Sequence, residues 1–333
     1  MEKLSVTDMH TGGEPVRIVI SGYPPVLGNT ILEKRIYARE TLDHLRKILI
    51  FEPRGHYDMY GALLVEPSLP GADLAVLFLH NEGYSTMCGH AVIALGRYAV
   101  DHGIVAAVEP ITTVNIECPC GMVIASVAVE AGRAGAVSFE SVPAFMFAAG
   151  QQVDLPGISS VAFDIAYGGA FYAIADCHQF GLKFGRSRVR DFVDAATGLT
   201  KAAKHAVTLS HPEHAELAFL YGTILTDGGD GRADNPTKNI CVFADAEVDR
   251  SPTGSGVTAR LAAMHAKGDC LPGEERTFES IAGSRFTGKV LRTTLAGDHP
   301  AIIASVSGRA FYTGTAEFTL EEDDLLGRGF LLR

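Results

Sequence analysis

The sequence predicts an α/β protein made of two halves that repeat one plan, strands around a central helix. Three observations predict it. Residues 87–103 lie over residues 252–268 without gaps, putting Cys88 on Thr253, Gly89 on Gly254, Val92 on Val257, Ala94 on Ala259 and Gly103 on Gly268. Each copy starts with a small nucleophilic side chain, then Gly and a polar residue, then an Ala-rich run that stops at glycine. That is the outline of a short helix with a tight N-terminus and a C′ glycine. Apolar runs of strand length surround both copies, and 333 residues suffice for two domains of ordinary size.

Taken in order, VRIVISGYP reads as a strand entering a Gly-Pro turn, and TLDHLRKILIFEPRG as an amphipathic helix ending near Pro53. GALLVEP and LAVLFLHNEG are strands, and residues 88 to about 102 the first buried helix. TVNIECP, MVIASVAVE and AVSFESVPAF are three more strands. A hinge is expected at 143–150, dividing residues 1–145 from 146–317, with 318–333 a candidate to return to the first half. VAFDIAYGGAFYAIADC opens the second strand set, RVRDFVDAATGLTKAAKHAV is an amphipathic helix, and ELAFLYGTILTD and NICVFADAEVDRSP follow as strands. Residues 253 to about 267 form the second buried helix, and the chain ends in alternating strands.

Composition removes several classes of function. No apolar stretch approaches the roughly 20 residues of a membrane span, and the first residues lack the apolar core of a signal peptide. A soluble cytoplasmic protein is expected. The net charge of −11, from 39 acidic and 28 basic side chains, argues against nucleic acid as a partner. Six cysteines in a chain this long are not a disulfide framework. Cys118 and Cys120 sit in a strand-like run with no second ligand pair, and His211 and His214 in an exposed-looking loop, so neither pair makes a metal site. Cys177, Cys241 and Cys270 read as buried small hydrophobes.

The chemistry concentrates at the two helix starts. Their free N–H groups can hold one anion between them, with a thiol on one side and a hydroxyl on the other. A thiolate at Cys88 is favoured by the helix end. The run 251–256 lacks the Lys-Ser/Thr of a phosphate loop, yet backbone N–H groups bind anions without a lysine. Residues two apart at a helix start point different ways, so His90 is expected to offer its backbone N–H, and its ring as a secondary contact, to a bound carboxylate. Asp249 is either the partner of a substrate ammonium or a turn-former paired with Arg250. His10 either lines a site or supports a turn.

MCGHA around Cys88, DRSPTGSGVTARLA around Thr253 and the opening DMHTGGEPVRIV resemble the proline racemase family, in the same order over nearly the whole chain. The resemblance implies a diaminopimelate epimerase-like α/β fold, two pseudo-symmetric halves with strands wrapped around a central helix, and chemistry without a cofactor or metal. Racemases and 4-hydroxyproline epimerases of the family carry cysteine at both helix starts. Threonine at 253 instead resembles the trans-3-hydroxy-L-proline dehydratase branch. By position, Cys88 is then the base and Thr253 its counterpart. Gly89, His90, Gly254 and Ser255 bind the substrate, chiefly its carboxylate, and Asp249 its amino group. The implied partner is a small imino acid, with a homodimer as the candidate assembly.

A thiol and a hydroxyl on opposite faces favour elimination over racemisation. A threonine hydroxyl is too weak an acid to reload a proton at neutral pH, so a carbanion formed by Cys88 needs another exit, which a C3 hydroxyl provides by leaving. Three other readings stay open on sequence alone: an epimerase or racemase using one thiol, a cysteine-dependent hydrolase, and a non-catalytic amino-acid-binding protein.

Overall fold

A computed structural model describes residues 2–231 and 236–332. The chain forms two compact units, Met1–Phe139 with Gly308–Arg333, and Glu140–Ser307. The first runs β1 (Glu2–Thr11), β2 (Glu14–Ser21), α1 (Ile31–Thr41), α2 (Asp43–Ile50), β3 (Gly61–Val65), β4 (Leu74–Leu79), β5 (Tyr84–Ser85), α3 (Gly89–Asp101), β6 (Ile111–Cys118), β7 (Gly121–Glu130) and β8 (Arg133–Glu140). β1–β2, β3–β4 and β6–β7 are antiparallel, β2–β3 and β4–β6 parallel, and β5 adds to β4.

The second unit runs β9 (Phe145–Leu155), β10 (Ile158–Tyr167), β11 (Phe171–Asp176), α4 (Val189–Ala206), β12 (Leu220–Thr226), β13 (Thr237–Phe243), β14 (Glu247–Asp249), α5 (Gly254–Lys267), β15 (Glu275–Ser280), β16 (Arg285–Ala296) and β17 (His299–Gly308). Its pairings repeat those of the first. β10–β11, β12–β13 and β15–β16 are antiparallel, β11–β12 and β13–β15 parallel, and β14 adds to β13. A parallel pair needs a crossover, and in both units the second crossover carries the buried helix, α3 or α5. The repeat seen in two short segments is thus a repeat of strand order.

β18 (Ala310–Leu320) pairs antiparallel with β1 from Glu2↔Leu320 to Thr11↔Ala310, and β9 has the same place beside β10. The chain therefore rejoins the first unit at Gly308, ahead of the expected residue 318. The units divide between Phe139 and Glu140, a few residues before the expected hinge at 143–150, and from Phe145 on that segment is the strand β9. Pro143 and its small neighbours look like a linker, but Phe145 is buried and stacks on Tyr167 at 5.3 Å. Helix α1 adds to the expected elements. Its cap, Thr30 accepting the Glu33 N–H at 3.2 Å, is local, while its apolar spacing is weak. Helix α2 stops at extended Phe51, just ahead of Pro53.

The two core helices are buried on nearly every face. Ala91 to Leu95 of α3 have no exposed surface, and α3 packs against β1, β2, β6, β7 and β18. Helix α5 packs against β9, β10, β11 and β16. By contrast α4 buries one stripe, Phe192, Ala196, Leu199 and Ala203. The C′ glycines are where the sequence put them: Gly103 has φ 67° and Gly268 φ 83°, values that glycine adopts at no steric cost.

Candidate active site

In the first unit Cys88 is the N-cap of α3, with φ −144° and ψ 107°. Its sulfur accepts the Ala91 N–H at 3.4 Å, the position a serine or aspartate oxygen takes in an ordinary cap. The thiol also lies 3.0 Å from Nδ1 of His90. This corrects the expectation that the two side chains diverge. An extended N-cap residue is outside the helical spiral, and its side chain folds back over the first turn.

The His90 ring is held in one orientation. Nε2 lies 3.2 Å from the Pro15 carbonyl, which can only accept, so Nε2 carries the hydrogen. Burial pushes the imidazole pKa from 6.5 down to about 3, partly offset by the Pro15 carbonyl. The ring is neutral, and the Cys88 sulfur lies against its face, 3.0 Å from Nδ1 and 3.7 Å from Nε2. Thr11 Oγ1 donates to the His90 carbonyl at 2.8 Å, and the Tyr60 ring meets the imidazole edge-on at 4.8 Å. Thr11 and Pro15 flank the β1–β2 turn, where His10 Nδ1 accepts the Gly13 N–H at 3.2 Å. His10 therefore supports the turn. The N–H groups of Gly89 and His90 lie in the first turn of α3, where no intrahelical acceptor exists.

In the second unit the same start is built differently. Asp249 closes β14, is buried, and accepts the Ser251 N–H at 2.7 Å. It is thus a turn-former, while Arg250 donates to the Val248 carbonyl at 2.8 Å. Burial raises the Asp249 pKa from 3.8 to about 6, against the Ser251 and Thr253 side chains, the Ser251 N–H and the Arg250 charge, all of which lower it. A buried carboxylate of this kind is suited to a cationic partner.

Thr253 has φ 67° and ψ 96°. For a β-branched residue this is a strained backbone, worth about 1–3 kcal/mol and sustained only by its surroundings. The side chain makes no cap bond. Apart from its electrostatic contact with Asp249, the buried Thr253 Oγ1 has no partner in hydrogen-bond geometry. The first turn of α5 is consequently uncapped by its own N-cap. Gly256 makes room for this conformation, since a Cβ there would lie 3.0 Å from Thr253 Cγ2 and 2.7 Å from Ile224 Cδ1. Ser255 Oγ is 2.7 Å from the buried Tyr172 hydroxyl.

Each unit thus assembles its own expected residues, Cys88, Gly89 and His90 in one and Asp249, Thr253, Gly254 and Ser255 in the other. Sequence reasoning missed Thr11, Pro15 and Tyr60 around His90, and Ser251, Asn239, Arg260 and Tyr172 around α5. Thr11 and Pro15 had a signal, lying inside the quoted DMHTGGEP motif, and so did Ser251 and Arg260, inside DRSPTGSGVTARLA; Tyr60, Asn239 and Tyr172 had none. The metal-type cluster that does form among the described residues is Asp176, Cys177 and His178. There Cys177 is wholly buried and His178 Nδ1 lies 2.7 Å from Asp176.

The fold is thus two units of one strand order, each with a core helix whose start carries a small nucleophilic side chain, a thiol beside an imidazole in the first and a hydroxyl in the second. The chain belongs to the proline racemase family, whose model matches residues 6–331. It is 58% identical over 335 residues to the trans-3-hydroxy-L-proline dehydratase of Homo sapiens, covering 99% of this chain and 95% of that one. It is 57% identical over 332 residues to the trans-L-3-hydroxyproline dehydratase of Xenopus tropicalis, with the same coverage. A crystal structure of a hydroxyproline epimerase from Agrobacterium vitis with bound trans-4-hydroxy-L-proline superposes with TM-score 0.94 at 28% identity, covering 100% of this chain and 95% of that one. No helix among the described residues is long and apolar enough to cross a membrane.

Proposed function

We infer that this chain is a hydro-lyase that dehydrates trans-3-hydroxy-L-proline to Δ1-pyrroline-2-carboxylate without a cofactor. The observation that carries the reading is the asymmetry of the two helix starts, Cys88 on one and Thr253 on the other, in a chain 57–58% identical to dehydratases.

Cys88 takes the Cα proton. The electron pair left at Cα is stabilised through the carboxylate by helix N–H groups at Gly89-His90 and Gly254-Ser255. It then forms the Cα–C3 double bond as the C3 hydroxyl leaves with its bonding pair, and the enamine tautomerises to the cyclic imine. The hydroxyl of this isomer lies on the same ring face as the Cα hydrogen, so one thiol can take the proton and pass it to the leaving hydroxide. His90, neutral and buried, packs against the Cys88 thiol and holds it in place, while the helix N-terminus favours the thiolate. Asp249 pairs with the substrate ammonium. Thr253 cannot reload a proton, which closes the racemisation path. That both helix starts serve one substrate molecule is part of this reading. So is a cytoplasmic setting, supported by six cysteines that are all free.

The test is incubation with hydroxyproline isomers, following pyrroline-2-carboxylate and optical rotation together. An achiral product from the trans-3-hydroxy-L isomer alone supports the reading. Epimerised substrate with no imine overturns it.

A further inference from the structure

The peptide between Pro252 and Thr253 is bonded at both ends. Its N–H, on Thr253, donates to Ser251 Oγ at 3.0 Å. Its carbonyl, on Pro252, accepts from Nδ2 of Asn239 at 3.2 Å. In a trans peptide these groups lie in one plane and point in opposite directions within it. Holding both fixes the tilt of that plane, and with it φ of Thr253. Releasing either end lets the plane turn and the φ of 67° relax toward the negative values a β-branched residue prefers.

Asn239 is itself held with its donor on the carbonyl. It is wholly buried on β13. Arg260 Nη1 meets its Oδ1 at 2.9 Å, and since a guanidinium only donates, the amide oxygen must face Arg260 and the amide nitrogen Pro252. Arg260, also wholly buried, donates through Nη2 to Asp230 and, at 2.5 Å, to Thr237 Oγ1. Its guanidinium covers the Phe278 ring at 4.8 Å. Burial opposes ionisation of Asp230, but the Arg260 charge, the hydrogen bonds from Arg260 and Thr237 and the Lys267 charge together outweigh it, holding that carboxyl below its usual range. Helix α5 thus reaches back, through its own Arg260, to the peptide that precedes it.

We propose that Asn239, oriented by Arg260, is a positioning residue that holds the strained Thr253 turn so that the α5 N–H groups and the Thr253 hydroxyl face the substrate carboxylate and ring. The inference rests on the dehydration reading for its consequence in turnover. Its geometric part is testable by binding alone.

Asn239→Asp keeps an oxygen toward Arg260 and sets an acceptor against the Pro252 carbonyl. Asn239→Ala removes both bonds and serves equally if the aspartate variant does not fold. The expected result is a loss of at least tenfold in affinity for pyrrole-2-carboxylate, a planar mimic of the enolate-like state, with a parallel loss in kcat/KM for dehydration. Alkylation of Cys88 by iodoacetamide in the free protein stays at the wild-type rate at every pH. Glycine takes positive φ without a clamp, so in a Thr253→Gly background the same substitution at 239 loses most of its effect on pyrrole-2-carboxylate binding. Wild-type binding by the Asn239 variants, or an equal loss in the Thr253→Gly background, overturns the proposal. A wild-type protein that binds pyrrole-2-carboxylate and does not dehydrate overturns the reaction assigned above and leaves the clamp to be judged on binding.

Discussion

Replacing Asp249 by asparagine separates what the site does from what the fold tolerates. The carboxyl is buried, and burial, its largest influence, raises its pKa from 3.8 to about 6. The sign follows from linkage. A folded pKa above the unfolded one favours the protonated form in the native state. This group's contribution to stability is therefore complete below pH ~3.8 and is lost as pH rises through about 6. At ~1.4 kcal/mol per tenfold change in the proton equilibrium, the loss is about 3 kcal/mol above pH 6. Asparagine keeps an oxygen for the Ser251 N–H, now bonded at 2.7 Å, and carries no charge to desolvate. Asp249→Asn is thus expected to be more stable than wild type above pH 6, by up to about 3 kcal/mol, and equally stable near pH 4. The figure is an upper bound, because the new NH2 group also needs partners. The measurement is the difference in unfolding free energy between the two proteins, by denaturant titration at several pH values. All other carboxyls cancel in that difference. The same variant should lose ~10- to 100-fold in kcat/KM, the usual loss when a charged hydrogen-bond partner is removed. Wild-type kcat/KM should fall as pH drops below about 6, where Asp249 takes up a proton and no longer pairs with the ammonium. A stability difference that does not change with pH, or that favours wild type as pH rises, refutes the reasoning.

Cys88→Ser should leave the fold intact and abolish turnover, since a serine hydroxyl does not ionise there. Retention of more than a few per cent of activity in that variant removes the base role. Thr253→Cys should confer D-proline formation from L-proline with solvent deuterium at Cα, and it tolerates the local φ of 67° with less strain because cysteine is not β-branched. If this variant folds and dehydrates yet neither racemises nor exchanges, residue 253 does not meet the substrate. Thr11→Val deletes the donor to the His90 carbonyl and should cost about 1 kcal/mol of stability while displacing the pH profile of Cys88 alkylation. Thr11→Ser should restore the wild-type profile, and identical profiles in all three proteins would remove Thr11 from the positioning of His90.

The sequence by itself determined the two buried helices, their starting residues and their closing glycines. These are local features: a small side chain at the helix start, an Ala-rich run and a glycine at positive φ are each set within one or two turns of chain. From them came the duplicated plan and the thiol–hydroxyl asymmetry on which the functional reading rests. The same local logic misjudged 143–150, where Pro143 and small residues resemble a linker, because the partner that makes β9 a strand lies on β10 and is set by register. It also separated Cys88 from His90, since a helical template does not describe an N-cap with φ −144°.

Only the tertiary structure decided how the reactive groups are held. The tautomer of His90 depends on Pro15, 75 positions away, and the tilt of the peptide before Thr253 depends on Asn239 and Arg260, brought together by β13 and the length of α5. No pattern of residue types announces such contacts, and a β-branched residue at 253 argues locally against the backbone it adopts. That backbone exists because bonds from the rest of the unit outweigh its strain, and such a balance is a property of the packed fold rather than of the segment.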